Sequence, residues 1–237
     1  MDKDIRKKAV ILVSGGTDST TCLAIAQSLN FELYAMSFAY GQKHQIEIEK
    51  IKINIINYPV CQHQIINLDL SFLTNAALIN SNIDVPKGMY HNIDAPKDHN
   101  NSTMLPITYV NARNTLFLSY ALSFAEHIGA SAIFIGIHAQ DISYPDCTEL
   151  FRSSFETLAN IGTSYYNSNK KIQILAPLLN LTKAQIIAQG LALNVDYSHT
   201  ISCYDPQDGR SCGQCAACMM RLDAFRQNNI IDPIEYQ

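Results

Sequence analysis

Five short apolar runs, alternating with longer segments of helical character, constrain this chain more than any other feature. AVILV (9–13), FELYAMSF (31–38), QHQIINLDL (62–70), SAIFIGI (131–137) and IQILAPL (172–178) read as strands. Segments 18–29, 112–130, 148–163 and 181–193 read as helices, the last with Thr182 as N-cap. QIEIEKIKINII (45–56) is apolar at 46, 48, 51, 53, 55 and 56, and its length and charge favour a helix over a strand. This alternation implies an α/β fold: a doubly wound, mainly parallel five-stranded sheet with helices on both faces. Ligands of such sheets bind beyond the carboxyl ends of the strands.

The 237 residues suit one such domain, expected over 1–198, with a small appendage at 199–237. Residues 71–106 break the alternation. NSNIDVPKGMYHNIDAPKDHNNST (80–103) is rich in Asn, Asp, Pro and Gly, which suits an irregular surface excursion or a lid. A net charge of -4 gives no electrostatic footprint for nucleic acid, so none is expected as a partner. MDKDIRKKAV lacks the apolar run of a signal peptide, and no stretch approaches the ~20 apolar residues of a membrane span. The cysteines crowd together near the C-terminus, as in a metal site of a reducing compartment. A cytoplasmic protein without membrane contact is expected.

The first strand runs into VSGGTDSTTCL (13–23). Gly15 and Gly16 let backbone N–H groups approach an anion at a helix N-terminus, where the dipole favours negative charge. Ser14, Thr17, Ser19 and Thr20 add hydroxyl donors, and Asp18 suits a magnesium ion that bridges phosphate oxygens. A plain strand-to-helix turn capped by Asp18 fits the same residues, because short glycine patterns are weak signals. S-G-G-T-D-S at the first strand resembles the S-G-G-x-D-S signature of the ATP-pyrophosphatase loop family. That resemblance implies an ATP-binding segment of Val13, Ser14, Gly15, Gly16, Thr17, Asp18, Ser19, Thr20, Thr21, Cys22 and Leu23. It also explains the missing lysine of the G-x-x-x-x-G-K-[ST] loop, since pyrophosphate would leave while a substrate oxygen attacks the α-phosphorus. Cys22 itself reads as helix packing.

SCYDPQDGRSCGQCAAC (202–218) spaces Cys203, Cys212, Cys215 and Cys218 as C-x8-C-x2-C-x2-C. Four thiolates in close pairs suit a closed tetrahedral site for one structural Zn2+. An iron–sulfur cluster is the rival, without the following cysteine and proline of ferredoxin spacing. Cys61 and Cys147 read as core or loop residues.

Four further stretches narrow the resemblance. YGQKH (40–44), TYVNARNTLFLS (108–119), GIHAQDISYPDC (136–147) and the cysteine-rich tail with Arg221 resemble segments of the 7-cyano-7-deazaguanine synthase family, spanning about Lys8 to Tyr236. Asn111 departs from the Pro or Gly frequent there. The glycine usual before Tyr144 is absent, which shortens that loop by one residue. The resemblance implies an ATP-dependent ligase that joins 7-carboxy-7-deazaguanine and ammonia into 7-cyano-7-deazaguanine, through adenylated carboxylate and amide intermediates, for queuosine biosynthesis. It implies catalytic roles for Asp18 and Arg113, the latter gripping phosphate or carboxylate with its planar fork. It implies substrate contacts from Arg113, Asn114, Asp141, Tyr144, Asp146, Lys183 and His44, and a homodimer. On their own, Asp146 also fits a helix cap, Tyr144 packing, and Lys183 solvated surface. Two rivals share the loop. A tRNA-modifying enzyme such as a 2-thiolase needs a basic surface; a non-catalytic nucleotide-binding protein would leave the Arg-Asn and Tyr-Pro-Asp-Cys segments unused.

Overall fold

A computed structural model describes residues 6–43, 46–88, 105–141 and 143–237. Strands β1 (Lys8–Leu12), β2 (Glu32–Ala39), β3 (Val60–Asn67), β4 (Ala132–Phe134) and β5 (Gln173–Leu175) form one sheet, ordered β3-β2-β1-β4-β5. Every neighbouring pair is parallel. Each connection therefore needs a crossover, which α1 (Thr17–Ser28), α2 (Ile46–Asn54), α3 (Arg113–Ile128) and α4 (Glu149–Ile161) supply in turn. Helices α5 (Lys183–Ala192) and α6 (Ala216–Gln227) follow the last strand. The expected doubly wound α/β architecture is present.

Alternation along β1 sorts the core into two layers. Ala9, Ile11 and Val13 pack with Leu23, Leu33 and Phe134 on the side of α1. Val10 and Leu12 pack with Phe38, Ile133 and Leu118 of α3. Strand order reverses between β1 and β4, so the loops leaving these two strands part and open a crevice at their carboxyl ends. β4 and β5 are each three residues long, shorter than the apolar runs that announce them. Ile135, Ile137 and Leu178 lie beyond the strands yet remain buried, so the apolar pattern there marks burial rather than ladder pairing.

The C-terminal segment is fastened to this frame by Arg221, which is 1% exposed. Its guanidinium donates to both oxygens of Asp232 (2.7 and 2.9 Å), to Thr200 Oγ1 (2.8 Å) and to the Tyr197 carbonyl (3.2 Å). A buried cation is tolerated when its donors are satisfied in this way. Within the irregular stretch 71–88, Gly88 N donates to Gln214 O and Lys87 pairs with Asp205 at 2.6 Å, against the cysteine-rich segment. The lid reading also concerns residues 89–104, outside the described residues.

Helix α5 lies close to α1 because Gly190 has no side chain. A Cβ there would stand 1.7 Å from Tyr197 Oη, whose hydroxyl bonds Thr21 Oγ1 at 2.7 Å. Gly190→Ala must displace Tyr197 and break that bond, an overpacking penalty of about 2 kcal/mol. Urea unfolding should report a loss of that size; an unchanged midpoint would contradict this packing.

Candidate active site

At the end of β1 the chain turns sharply, and its backbone is specified from several sides. Val13 N still donates to Met36 O (2.9 Å), while the Gly15 carbonyl accepts from Ile201 N (2.9 Å). Gly15 has φ +82°, and a Cβ on it would lie 2.8 Å from the Glu47 carbonyl. Only glycine meets both demands. Gly16 caps α1 with no side-chain bond to the helix start, so first-turn N–H groups remain for an anion. Ser14 and Ser19 brace the turn through Ser14 N→Ser19 Oγ (3.1 Å), and Thr20 Oγ1 donates to Gly16 O (2.9 Å).

Asp18 is therefore no cap. Both its oxygens lie 2.6 Å from Lys183 Nζ. Lys183 is 6% exposed, which overturns the solvated-surface alternative. Its position follows from local structure: Thr182 and Gln185 form a reciprocal capping box that starts α5 at this residue. Burial alone would raise the Asp18 pKa, but the charge and hydrogen bonds of Lys183 hold it below the ordinary carboxylate value. The carboxylate stays charged at neutral pH. The stability it contributes is present above the ordinary carboxylate pKa and is lost as pH falls through the lowered one.

The opposite wall comes from the loop after β4. Asp141 Oδ2 accepts from His138 N (3.2 Å), and burial pushes the Asp141 carboxyl upward against the lowering effect of that bond. The Tyr144 hydroxyl meets Thr108 Oγ1 at 2.7 Å. From the start of α3, Arg113 Nη1 donates to the Tyr40 hydroxyl at 3.3 Å. Burial raises Glu47 well above its usual pKa, while Arg113 acts against that shift. Asp18, His138, Asp141, Tyr144, Arg113 and Glu47 line one cleft with Ser202 and Tyr204 of the cysteine-rich segment.

The expected site residues divide accordingly. Val13, Ser14, Gly16, Asp18 and Ser19 line the cleft, and Gly15 shapes its turn. Thr17 is buried, and the Thr20 and Thr21 hydroxyls are engaged with Gly16 O and Tyr197. Cys22 and Leu23 lie in the core beneath α1, because the helix turns them toward the sheet. Thr20 to Leu23 thus support the turn instead of touching the cleft. Asn114 and Lys183 also line it. Asp146 does not: its carboxylate accepts from Asn114 N (3.1 Å) and its carbonyl from Asn114 Nδ2 (3.0 Å). It caps α3, behind Arg113, while Thr148 caps α4. His44 lies outside the described residues. Glu47, Thr108, His138, Ser202 and Tyr204 were not foreseen. Thr108, His138, Ser202 and Tyr204 lie inside the motif segments, but nothing in their spacing marks them.

The Sγ atoms of Cys203, Cys212, Cys215 and Cys218 are buried and lie within 4.8 Å of one another. Tetrahedral thiolates at a Zn–S length of ~2.3 Å sit ~3.8 Å apart, so the set fits a structural zinc ion with slight contraction. Backbone N–H groups of Cys212 and Asp205 point at Cys203 Sγ (3.2 and 3.3 Å), and Cys215 N at Cys212 Sγ (3.3 Å), which favours thiolates. Cys22 and Cys147 are buried and Cys61 is exposed, matching their reading as core or loop residues.

The family model described as queuosine biosynthesis protein QueC matches residues 8–229. The chain belongs to the QueC family. It is 53% identical over 235 residues to a 7-cyano-7-deazaguanine synthase of Rickettsia rickettsii (strain Sheila Smith), covering 98% of this chain and 100% of that protein. Its identity to the synthase of Rickettsia akari (strain Hartford) is 52% over 233 residues, covering 97% and 99%. An NMN synthetase from Francisella tularensis shares the fold of this QueC family chain, with TM-score 0.51 and 17% identity over 95% of this chain and 79% of that one. Among the described residues, no helix is long and apolar enough to cross a membrane.

Two outcomes follow from the charges and thiols. Lys183→Met leaves the part-buried Asp18 without its cationic partner. The acid limb of kcat/KM should move to higher pH and stability should fall by about 3 kcal/mol; an unmoved acid limb contradicts the pairing. Metal analysis should find one zinc per chain, and stripping it or introducing Cys215→Ser should lower the melting temperature. Iron in its place, or a melt indifferent to stripping, would sink the zinc assignment.

Proposed function

We propose that this QueC family member is a 7-cyano-7-deazaguanine synthase acting on 7-carboxy-7-deazaguanine, ammonia and ATP. The observation that carries this reading is the uncapped, glycine-turned start of α1 facing Arg113, Asp141 and Tyr144 across one cleft. An anion-binding turn thereby meets groups suited to a carboxylate and a purine-like edge.

The chemistry needs such a meeting. A carboxylate is a poor electrophile because its leaving group would be oxide. One carboxylate oxygen attacks the α-phosphorus of ATP, the phosphorus–oxygen bond to pyrophosphate breaks, and pyrophosphate leaves. Ammonia then adds to the acyl carbon, AMP departs with that oxygen, and loss of a proton leaves an amide. The amide oxygen attacks a second α-phosphorus in the same way. Departure of AMP and of both N–H protons leaves the nitrile.

In this reading Ser14, Gly15, Gly16 and Ser19 hold the pyrophosphate, and Asp18 would hold magnesium, which offsets charge on the departing group. Arg113 orients the acid or phosphate, Asp141 accepts from N–H groups of the base, and Tyr144 stacks on it. Asp146 and Asn114 fix the helix start that aims Arg113. Positioning and electrostatic preorganisation supply most of the rate, with water kept from the adenylate. We also assign 199–237 as a zinc-binding appendage to the 1–198 domain and place the protein in the cytoplasm, without nucleic acid as a partner. A homodimer suits the exposed Leu150, Leu158 and Ile161 on α4, which sedimentation reads directly.

Incubation with ATP, ammonium and 7-carboxy-7-deazaguanine should yield the nitrile, with AMP and pyrophosphate. Both carboxylate oxygens leave in AMP, so an acid labelled with oxygen-18 at both positions should give singly labelled AMP from each activation. ADP and phosphate as products, or unlabelled AMP, would refute the route.

A further inference from the structure

We propose that His138 is a catalytic hydrogen-bond donor, its imidazole held as the Nε2–H tautomer and aimed at the phosphoryl group in transfer. The proposal rests on the synthase reading above and adds a residue to which no role was assigned.

His138 follows β4 at the place where strand order reverses, is 6% exposed and lines the cleft. Its tautomer follows from one bond. The backbone N–H of Gln140 donates to His138 Nδ1 at 3.2 Å, so Nδ1 carries the lone pair and the proton of the neutral ring sits on Nε2. This small turn is itself anchored. Gln140 Oε1 accepts from Lys183 N (2.9 Å), and Ala139 N donates to Leu181 O (3.3 Å). The ring is therefore held against the same helix start that supplies Lys183.

Nε2 is left with no close acceptor among the described residues. The nearest carboxylate oxygens are Asp141 Oδ2 at 3.6 Å and Asp18 Oδ2 at 3.8 Å, both beyond N–H···O bonding length. A buried donor without an acceptor is unfavourable until something supplies one. A negatively charged phosphoryl oxygen is the acceptor that the reaction brings to this place. The space between Asp18, at the pyrophosphate turn, and Asp141, at the base-binding segment, is where an α-phosphoryl group meets the acid that receives it. A general base is excluded by the same geometry, because one ring nitrogen is occupied as an acceptor and the other already holds its proton. A neutral donor also avoids adding positive charge beside Lys183. During transfer the imidazole keeps its proton. The bond from Nε2 tightens as the acid oxygen bonds to phosphorus and the bond from phosphorus to pyrophosphate breaks.

The test compares His138→Ala with His138→Gln, whose amide retains an N–H donor, after thermal melts establish that each is folded. His138→Ala should lower kcat for AMP release by about 10²–10³, with KM for ATP changed less than about threefold, and His138→Gln should recover to within about tenfold of the parent. An Ala variant within about threefold of the parent, a loss confined to KM, or a folded Gln variant as slow as Ala would each overturn the proposal. Should the Ala variant not fold, nitrogen-15 shifts of the parent protein decide. A proton on Nδ1, or an Nε2–H resonance unmoved by saturating non-hydrolysable ATP analogue, also overturns it. Failure of the synthase reading would look different: the unaltered protein would form no AMP or pyrophosphate, whatever the tautomer.

Discussion

Asp18 and Lys183 meet from opposite ends of the chain, and the cleft takes its form from that meeting. Each side chain is costly to bury alone, so the pair draws the first turns of α1 and α5 together. The rest of the contact is shaped to permit this. Gly190 removes the side chain that would hold α5 away, Tyr197 fills the space and reaches Thr21, and Asn228 of the tail binds the Ala184 carbonyl. The turn after β1 is thereby determined by residues far from it in sequence, as Ile201 at Gly15 also illustrates. A loop that must present backbone N–H groups to a tetra-anionic nucleotide gains from being held before the ligand arrives.

The cysteine cluster extends the same logic to the far wall. Ser202 and Tyr204 flank Cys203 and face the cleft, so a metal ion that fixes Cys203 fixes both neighbours. Arg221, buried on α6, ties that segment to Thr200, Tyr197 and Asp232. Zinc is thus structural in chemistry and close to the reaction in consequence. The cleft has no wall that is purely local.

Where periodicity and turn chemistry carried information, the amino-acid sequence was readable. The α/β alternation, the N-cap at Thr182, the glycine turn and the thiol spacing all correspond to observed features. Legibility ended where a side chain's role depends on tertiary neighbours. Asp146 reads equally as ligand or cap until Asn114 is placed beside it. Lys183 reads as surface until Asp18 is brought to it, and His138 becomes distinctive only through the direction of one backbone N–H. The ends of β4 and β5 fall short of their apolar runs for a related reason: apolar residues report burial, whereas strand limits report pairing.

The central strand precedes the other four in sequence, yet its later partner in the sheet, the lysine opposite its loop and the amide that grips Gly15 all lie past residue 130. During translation β1 therefore waits, apolar and half-paired, until residues past Lys183 and Ile201 have been made. Such long-range closure is slow. Nascent chains of this protein should depend on chaperone shelter more than their modest size suggests, and a ribosome stalled before Lys183 would carry an open, unfinished sheet.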